Sequence, residues 1–248
     1  MRTIDLNADV GEGCGQDDKL LKIVSSANVC TGLHAGSPIV LAKTLALAKE
    51  NGVTVGAHPS YDDRANFGRL NQNLSKAELV ALLTYQLGAI QALCVQSGVT
   101  LRYVKPHGAL YNQAATDSTL ARVLAETIAS FDERLAIMGL AGSALITAGR
   151  EYGLATISEA FADRRYNADG TLVARGVAGA VIDDAKQALS QVKQMIEAGT
   201  VTAITGETVT LQADSICLHG DNDHAVQFAT NIYKTLLAEG FVIAAKGV

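Results

Sequence analysis

Short runs of apolar and β-branched residues recur along the chain, each followed by a segment whose apolar residues return every three or four positions. The short runs predict strands over 2–8, 25–31, 53–57, 101–105, 135–140, 154–160 and 215–219, and the longer period between them predicts repeated βα units. The helices carry start and stop signals. Ser37 stands at a cap position, Pro38 at the first helical position and Gly52 just past the far end. Ser75-Lys76-Ala77-Glu78 reads as a capping box opening a helix with Leu79, Leu82, Leu83, Leu87, Ile90 and Leu93 on one side and Gly98 after it. Further helices are expected over 117–129, 142–152, 184–198 and 223–239. Tyr166 to Val173, with the turn signal Asp169-Gly170, and Val201 to Leu211, turning at Gly206, read as hairpins.

Strands that alternate with helices form parallel sheets, and seven are enough to close an α/β barrel whose ends the hairpins decorate. The chain has 248 residues, enough to bury roughly 75% of its unfolded surface, so one core needs no staple. No low-complexity segment, short repeat or linker divides it, and one domain over 1–248 is expected.

Charged residues make up 18% and the net charge is -5, which gives no footprint of a nucleic-acid binder. Apolar stretches are interrupted short of the ~20 residues needed to cross a bilayer, and the start lacks an apolar signal core. No membrane association and a cytoplasmic location are therefore expected. Cys14, Cys30, Cys94 and Cys217 show no C-x-x-C spacing and read as free thiols, with Cys30 and Cys217 buried in strands and Cys14 open in a glycine-rich loop.

The chemistry lies where strands end. His34, His58, His107 and His219, four of the five histidines, each stand within two residues of the end of an apolar run. In a parallel α/β protein those ends share one mouth. Pro38, Pro59 and Pro106, the chain's only prolines, lie close to these histidines and restrict the loops that carry them. His224 reads as a surface or capping residue. Along the first strand, alternation sends Asp5, Asn7 and Asp9 to one face, so Asp9, and Glu12 beyond it, need a cation, a metal or a histidine as partner. Lys105 adds a cation at the same mouth, either to bind an anion or to pair with Asp9 or Glu12, and Arg64, Arg69 and Arg164 offer further anion donors. Asp9, His34 and His58 are candidate ligands for a divalent metal, although no H-E-x-x-H occurs. No G-x-x-x-x-G-K-[ST] is present.

Read in order, these blocks resemble one family. They are Asp5-Leu6-Asn7-Ala8-Asp9 with Gly11-Glu12-Gly13, Gly32-Leu33-His34-Ala35-Gly36, Gly56-Ala57-His58-Pro59-Ser60-Tyr61 with Phe67-Gly68-Arg69, Val104 to Asn112, Glu159 to Arg164, and Cys217-Leu218-His219-Gly220-Asp221. Nearly the whole chain is similar to the LamB/YcsF family, the A subunits of bacterial 5-oxoprolinase. Departures stand at Leu33, Ser37 and Cys30. The resemblance implies a distorted seven-stranded (β/α) barrel like those of glycoside hydrolases and deacetylases. It also implies ATP-dependent opening of the 5-oxoproline lactam to L-glutamate, with ADP and phosphate as products and 5-oxoprolinase subunits B and C as partners. ATP and a divalent cation, either Mg with ATP or an ion at the site, are the implied cofactors.

On that reading Asp9, Glu12, His34, His58, Lys105, His107 and His219 carry catalysis. Asn7, Arg69, Tyr111, Asn112, Arg164 and Asp221 contact substrate or phosphate. Two other readings stay open: a metal-dependent carbohydrate deacetylase, and a noncatalytic subunit that presents substrate to its partners. Self-association into a homo-oligomer is left open as well.

Overall fold

The computed structural model describes residues 2–220 and 223–247. Its strands are β1 (Arg2–Val10), β2 (Ser26–Cys30), β3 (Thr54–His58), β4 (Leu101–Val104), β5 (Ala136–Leu140), β6 (Thr156–Phe161), β7 (Thr200–Thr202), β8 (Thr208–Thr210), β9 (Ser215–Cys217) and β10 (Phe241–Ile243). The helices are α1 (Asp17–Leu20), α2 (Pro38–Glu50), α3 (Lys76–Ser97), α4 (Gly108–Thr116), α5 (Ser118–Phe131), α6 (Ala144–Glu151), α7 (Ala185–Ala198) and α8 (Asp223–Ala238).

Strands β1 to β6 pair in order, all parallel, and β9 bridges β6 and β1 to close a seven-stranded barrel. The closing register sets Asp5 opposite Ser215 and Asn7 opposite Cys217. All seven predicted barrel strands are present, with ends shifted by up to two residues. β10, which the pattern did not predict, adds three residues beside the start of β1.

Alternation along β1 sorts two environments. Leu6, Ala8 and Val10 join the large apolar layer between barrel and helices. Asp5 and Asn7 belong to a polar interior: Ser25, Ser26 and Ser215 donate to the Asp5 carboxylate, and Asn28 Nδ2 donates to Asn7 and Asp9, each at 2.8 Å. Burial raises the Asp5 pKa despite the three serines. Among the described residues, only Tyr103, Ala136, Met138 and Ile157 form a separate apolar plug. Gly56 makes room for it, since a Cβ there would lie 2.1 Å from the Tyr103 ring.

The helix caps match their sequence signals. Ser37 accepts from the Val40 amide, Ser75 and Glu78 close the capping box, and Gly98 ends α3 with φ +64. Helix α3 is long and apolar enough to cross a membrane by length and composition alone, a test that the core helix of a soluble protein also passes. Here its Leu79, Leu83, Leu87 and Ile90 are buried in the core. Its buried Gln86 accepts from Thr31 Oγ1 (2.7 Å) and the Ser60 amide (2.9 Å), which ties together the loops after β2 and β3.

Between β6 and β9 the chain inserts both expected hairpins. Tyr166 bridges Leu172 in the first, and β7 pairs antiparallel with β8 in the second, turning at Gly206. The Ile204 amide donates to the Tyr166 carbonyl and joins the two. Gln191 of α7 donates to the carbonyls of Phe161, Ala162 and Arg164, fixing the start of this insertion against the barrel.

Candidate functional site

A cavity of about 770 Å³ opens at the C-terminal ends of the barrel strands. Asp9, Glu12, His58, Lys105, His107 and His219 line it, together with Arg69, Tyr111, Asn112 and Arg164. Two expected residues lie behind its surface: Asn7, inside the barrel, and His34, buried against His107. Asp221 falls outside the described residues. The first hairpin forms a wall through Thr171, Leu172 and Val173.

Three imidazoles pack ring to ring on one side. His34 stacks on His107 with centroids 3.8 Å apart, and His58 meets His107 edge-on at 4.8 Å. Backbone carbonyls fix two tautomers, because a carbonyl can only accept. His58 Nδ1 donates to Lys105 O (2.7 Å) and His107 Nε2 donates to Phe67 O (2.9 Å). The remaining lone pairs, on His58 Nε2 and His107 Nδ1, face each other at 2.9 Å. Two lone pairs at that distance repel unless a proton or a cation stands with them. Carboxylates reinforce the demand: Asp9 Oδ2 lies 3.3 Å from His58 Nε2, and Glu12 Oε1 lies 3.5 Å from His107 Nδ1.

Burial, with His58 beside it, pushes His107 down to about 2, and burial with the same neighbour pushes His34 down to about 3. Both are therefore neutral at pH 7, the form that binds metals. The donor atoms of Glu12, His34, His58 and His107 all lie within 4.8 Å of one another, so these residues fit a divalent ion. His58 and His107 also have the carbonyl partners that orient metal-binding imidazoles. His34 lacks one: its Nδ1 is buried with no partner among the described residues, while its Nε2 meets Glu12 at 3.1 Å. The cluster keeps His34 and His58 of the sequence expectation and adds Glu12 and His107, while the expected Asp9 stands beside it with Oδ2 3.3 Å from His58 Nε2.

The Phe67 carbonyl reaches His107 through a backbone with φ +56, the only non-glycine residue with positive φ among those described. Such a conformation costs of order 1–2 kcal/mol and clusters at functional sites. Gly68 follows with φ +65, and a Cβ there would come within 3.0 Å of both His34 and His107.

Below the histidines Lys105 is buried, with Nζ 3.0 Å from Asp9 and 2.7 Å from Glu159. Burial lowers its pKa, but Asp9, Cys217 and Glu159 outweigh burial and hold it well above the usual value. Burial would raise Asp9; His58 and Lys105 outweigh it and keep that carboxylate well below its usual range. Lys105 makes the expected pair with an acid, Asp9, and Glu159 joins it as a partner.

Across the cavity His219 Nδ1 meets the Asp163 carboxylate at 2.7 and 2.8 Å, and Arg175 Nη2 donates to His219 Nε2 at 3.0 Å. Burial lowers the His219 pKa, but Asp163 more than offsets that and the net shift is upward. His219 is thus apart from the other three rings, on the opposite wall of the same cavity.

Sequence reasoning missed Glu159, Asp163 and Arg175 as functional residues. Glu159 had a signal, since it shares a strand face with Ile157 and Phe161 and so enters the barrel as an acid. Arg175 had none, lying in irregular chain beyond the first hairpin. The cysteines behave as read: Cys30 Sγ donates to Gly11 O at 2.7 Å, burial raises its pKa and that of Cys217, and Cys14 is exposed at the cavity. Ser37, a departure from the family pattern, caps α2.

The chain is 55% identical over 243 residues to the A subunit of 5-oxoprolinase from Histophilus somni (strain 129Pt), covering 98% of both proteins. Among solved structures, the lactam utilization protein from Thermus thermophilus superposes with a TM-score of 0.92 at 37% identity, over 98% of this chain and 100% of that one. A T48 deacetylase superposes with a TM-score of 0.52 at 13% identity, over 98% of this chain and 88% of that one, a likeness of barrel architecture alone. The LamB/YcsF family profile matches residues 4–247, and the chain belongs to that family.

Proposed function

We propose that this chain is the A subunit of an ATP-dependent 5-oxoprolinase, and that it opens the lactam together with subunits B and C. One observation carries the reading: the carboxylate and imidazole cluster of Asp9, Glu12, His58 and His107 faces the His219–Asp163 pair across a single cavity. Those are the two halves of an amide hydrolysis. A lactam resists water because its amide is resonance-stabilised, and phosphorylation of the carbonyl oxygen by ATP gives a better electrophile. Asp9 or Glu12, with His58 or His107, takes the proton of the attacking water. The C–N bond then breaks as the hydroxyl proton on the tetrahedral carbon is lost, leaving a γ-glutamyl phosphate. His219, held toward its protonated form by Asp163 once Arg175 releases its Nε2, delivers a proton to the departing ring nitrogen, and a second water releases phosphate and L-glutamate.

Lys105 holds Asp9 in place from below, and His34 orients Glu12. A divalent ion held by Glu12, His34, His58 and His107 would supply a Lewis acid for the carbonyl oxygen and would leave Asp9 as the base. Arg69 and Asn112, exposed at the rim, and Tyr111, beside Glu159, complete the substrate wall.

The test follows glutamate release from 5-oxoproline and ATP with the partner subunits present, this chain being first omitted and then restored. Wild type is expected to restore turnover, and Asp9→Ala, His107→Ala and Lys105→Ala are not. Normal turnover by all three variants would remove the assignment. The converging histidine and carboxylate donors favour one second reading, a metal-dependent deacetylase. Stoichiometric Zn or Mn together with acetate release from an N-acetylated sugar would favour it instead.

A further inference from the structure

The wall opposite the histidine cluster holds a buried guanidinium that its own acids do not satisfy. Arg164 is only 5% exposed and lines the cavity; its Nη2 donates to the Val173 carbonyl at 2.6 Å, and its Nε is buried with no acceptor among the described residues. Arg175 stands on the same wall with Nη2 on His219. The nearby acids are engaged elsewhere. Asp163 holds His219 Nδ1, and Asp169 accepts from the Thr171 amide (2.9 Å) and hydroxyl (2.6 Å). Asp183 lines the smaller pocket behind Arg175, and neither it nor Asp163 or Asp169 accepts from Arg164 Nε.

A buried guanidinium N–H needs an acceptor, and its planar fork matches an oxyanion. Of the other cations lining the cavity, Lys105 is already flanked by Asp9 and Glu159, and Arg69 stands on the histidine side, 5.1 Å over the Phe67 ring. We infer that Arg164 and Arg175 form an oxyanion subsite that takes the carboxylate of the substrate and thereby selects lactam acids over uncharged lactams. The identity of the ligand rests on the 5-oxoproline reading; the need for an anion rests on the wall itself.

The experiment uses the full chain and two readouts. In the first, acetate and inorganic phosphate are titrated while the side-chain ¹⁵Nε resonances of the arginines are followed. In the second, calorimetry compares 5-oxoproline with 2-pyrrolidinone, which has the ring but no carboxylate, in wild type, Arg175→Ala and Arg164→Lys. Acetate is expected to shift Arg164 Nε. Each variant is expected to weaken 5-oxoproline about 10- to 100-fold, the scale of one charge-assisted hydrogen bond, and to leave 2-pyrrolidinone unchanged.

Arg164 is buried, so its variant is the one at risk of misfolding; Arg175 is exposed and carries the test by itself. An Arg164 resonance indifferent to both anions, or equal weakening of both lactams in Arg175→Ala, overturns the subsite. Phosphate acting at far lower concentration than acetate overturns the carboxylate assignment. Acetate binding at Arg164 in a chain that binds neither lactam sinks the 5-oxoproline reading and leaves the oxyanion subsite standing.

Discussion

Replacing Lys105 by Met tests how the barrel tolerates charge in its interior. The ammonium lies 2.7 Å from Glu159 and 3.0 Å from Asp9, and its side chain is 3% exposed. At an effective dielectric of about 20, each attraction is worth about 6 kcal/mol before desolvation. Desolvation of three buried charges offsets much of that. The net effect of removing one partner is the smaller figure known for broken buried pairs, about 3–5 kcal/mol, because two carboxylates remain without their cation. Glu159→Gln should lose less, since Lys105 keeps Asp9. The double variant should lose less than the sum of the single losses, with a coupling of about 2–3 kcal/mol.

Urea unfolding followed by far-UV circular dichroism, with chelator present so that no cation substitutes for the ammonium, measures all four corners of that cycle. The slopes should be unchanged and only the midpoints should move. A Lys105→Met loss below about 1 kcal/mol, or strictly additive losses, would refute the argument that Lys105 neutralises the acids below the histidines.

The His219–Asp163 pair predicts a pH signature. His219 is shifted up, so its contribution to stability is full below the ordinary histidine value of about 6.5 and is lost as pH rises through the folded value. Burial raises Asp163 but His219 lowers it further, so its contribution is present above the ordinary value of about 3.9 and is lost on acidification. The stability gap between wild type and Asp163→Asn should therefore be widest between about pH 4 and 6.5 and shrink toward alkaline pH, with Arg164 and Arg175 in place throughout; a gap flat from acid to alkaline pH, read from urea midpoints, would count against the pairing. For the cation site, competition with a chromophoric chelator should show one Zn equivalent in wild type and loss of binding in His58→Ala and His107→Ala. His34→Ala, which removes another donor of the same cluster, should weaken binding by at least about 10- to 100-fold; unchanged binding would remove His34 from the ligand set.

What the sequence reveals of this molecule follows from which interactions are local. The barrel strands, the capping box of α3 and the inward face of β1 depend on neighbours two to four residues apart and are legible, whereas the short β10 is not. That the histidines share one mouth is also legible, because parallel strands leave little choice about where their ends meet. Pairing across the barrel is not. Glu159 meets Lys105 only after β4, β5 and β6 have been laid side by side. Nothing in either strand's own pattern names its partner. Ring stacking of His34 on His107 depends on the same closure, which is why the pattern alone names His34 and His58 but does not name Glu12 and His107 as ligands. Arg175 lies beyond the reach of any periodic argument, since a residue in irregular chain is placed only by the hairpin that precedes it.

The interior itself argues for function over stability. Barrels of this type are ordinarily filled by layers of branched aliphatic side chains. Here Asp5, Asn7, Asn28, Lys105 and Glu159 occupy that space, and Tyr103, Ala136, Met138 and Ile157 are the small apolar remainder. Buried ion pairs seldom stabilise a fold more than apolar residues of the same volume would. Their arrangement does, however, fix Asp9: Asn28 donates to its carboxylate from β2 and Lys105 from the end of β4. A carboxylate held from two sides, 3.3 Å from an imidazole whose own tautomer is set by a backbone carbonyl, keeps its place without help from substrate. The charged core is best understood as the support that holds Asp9 and His58 in register at the cavity floor.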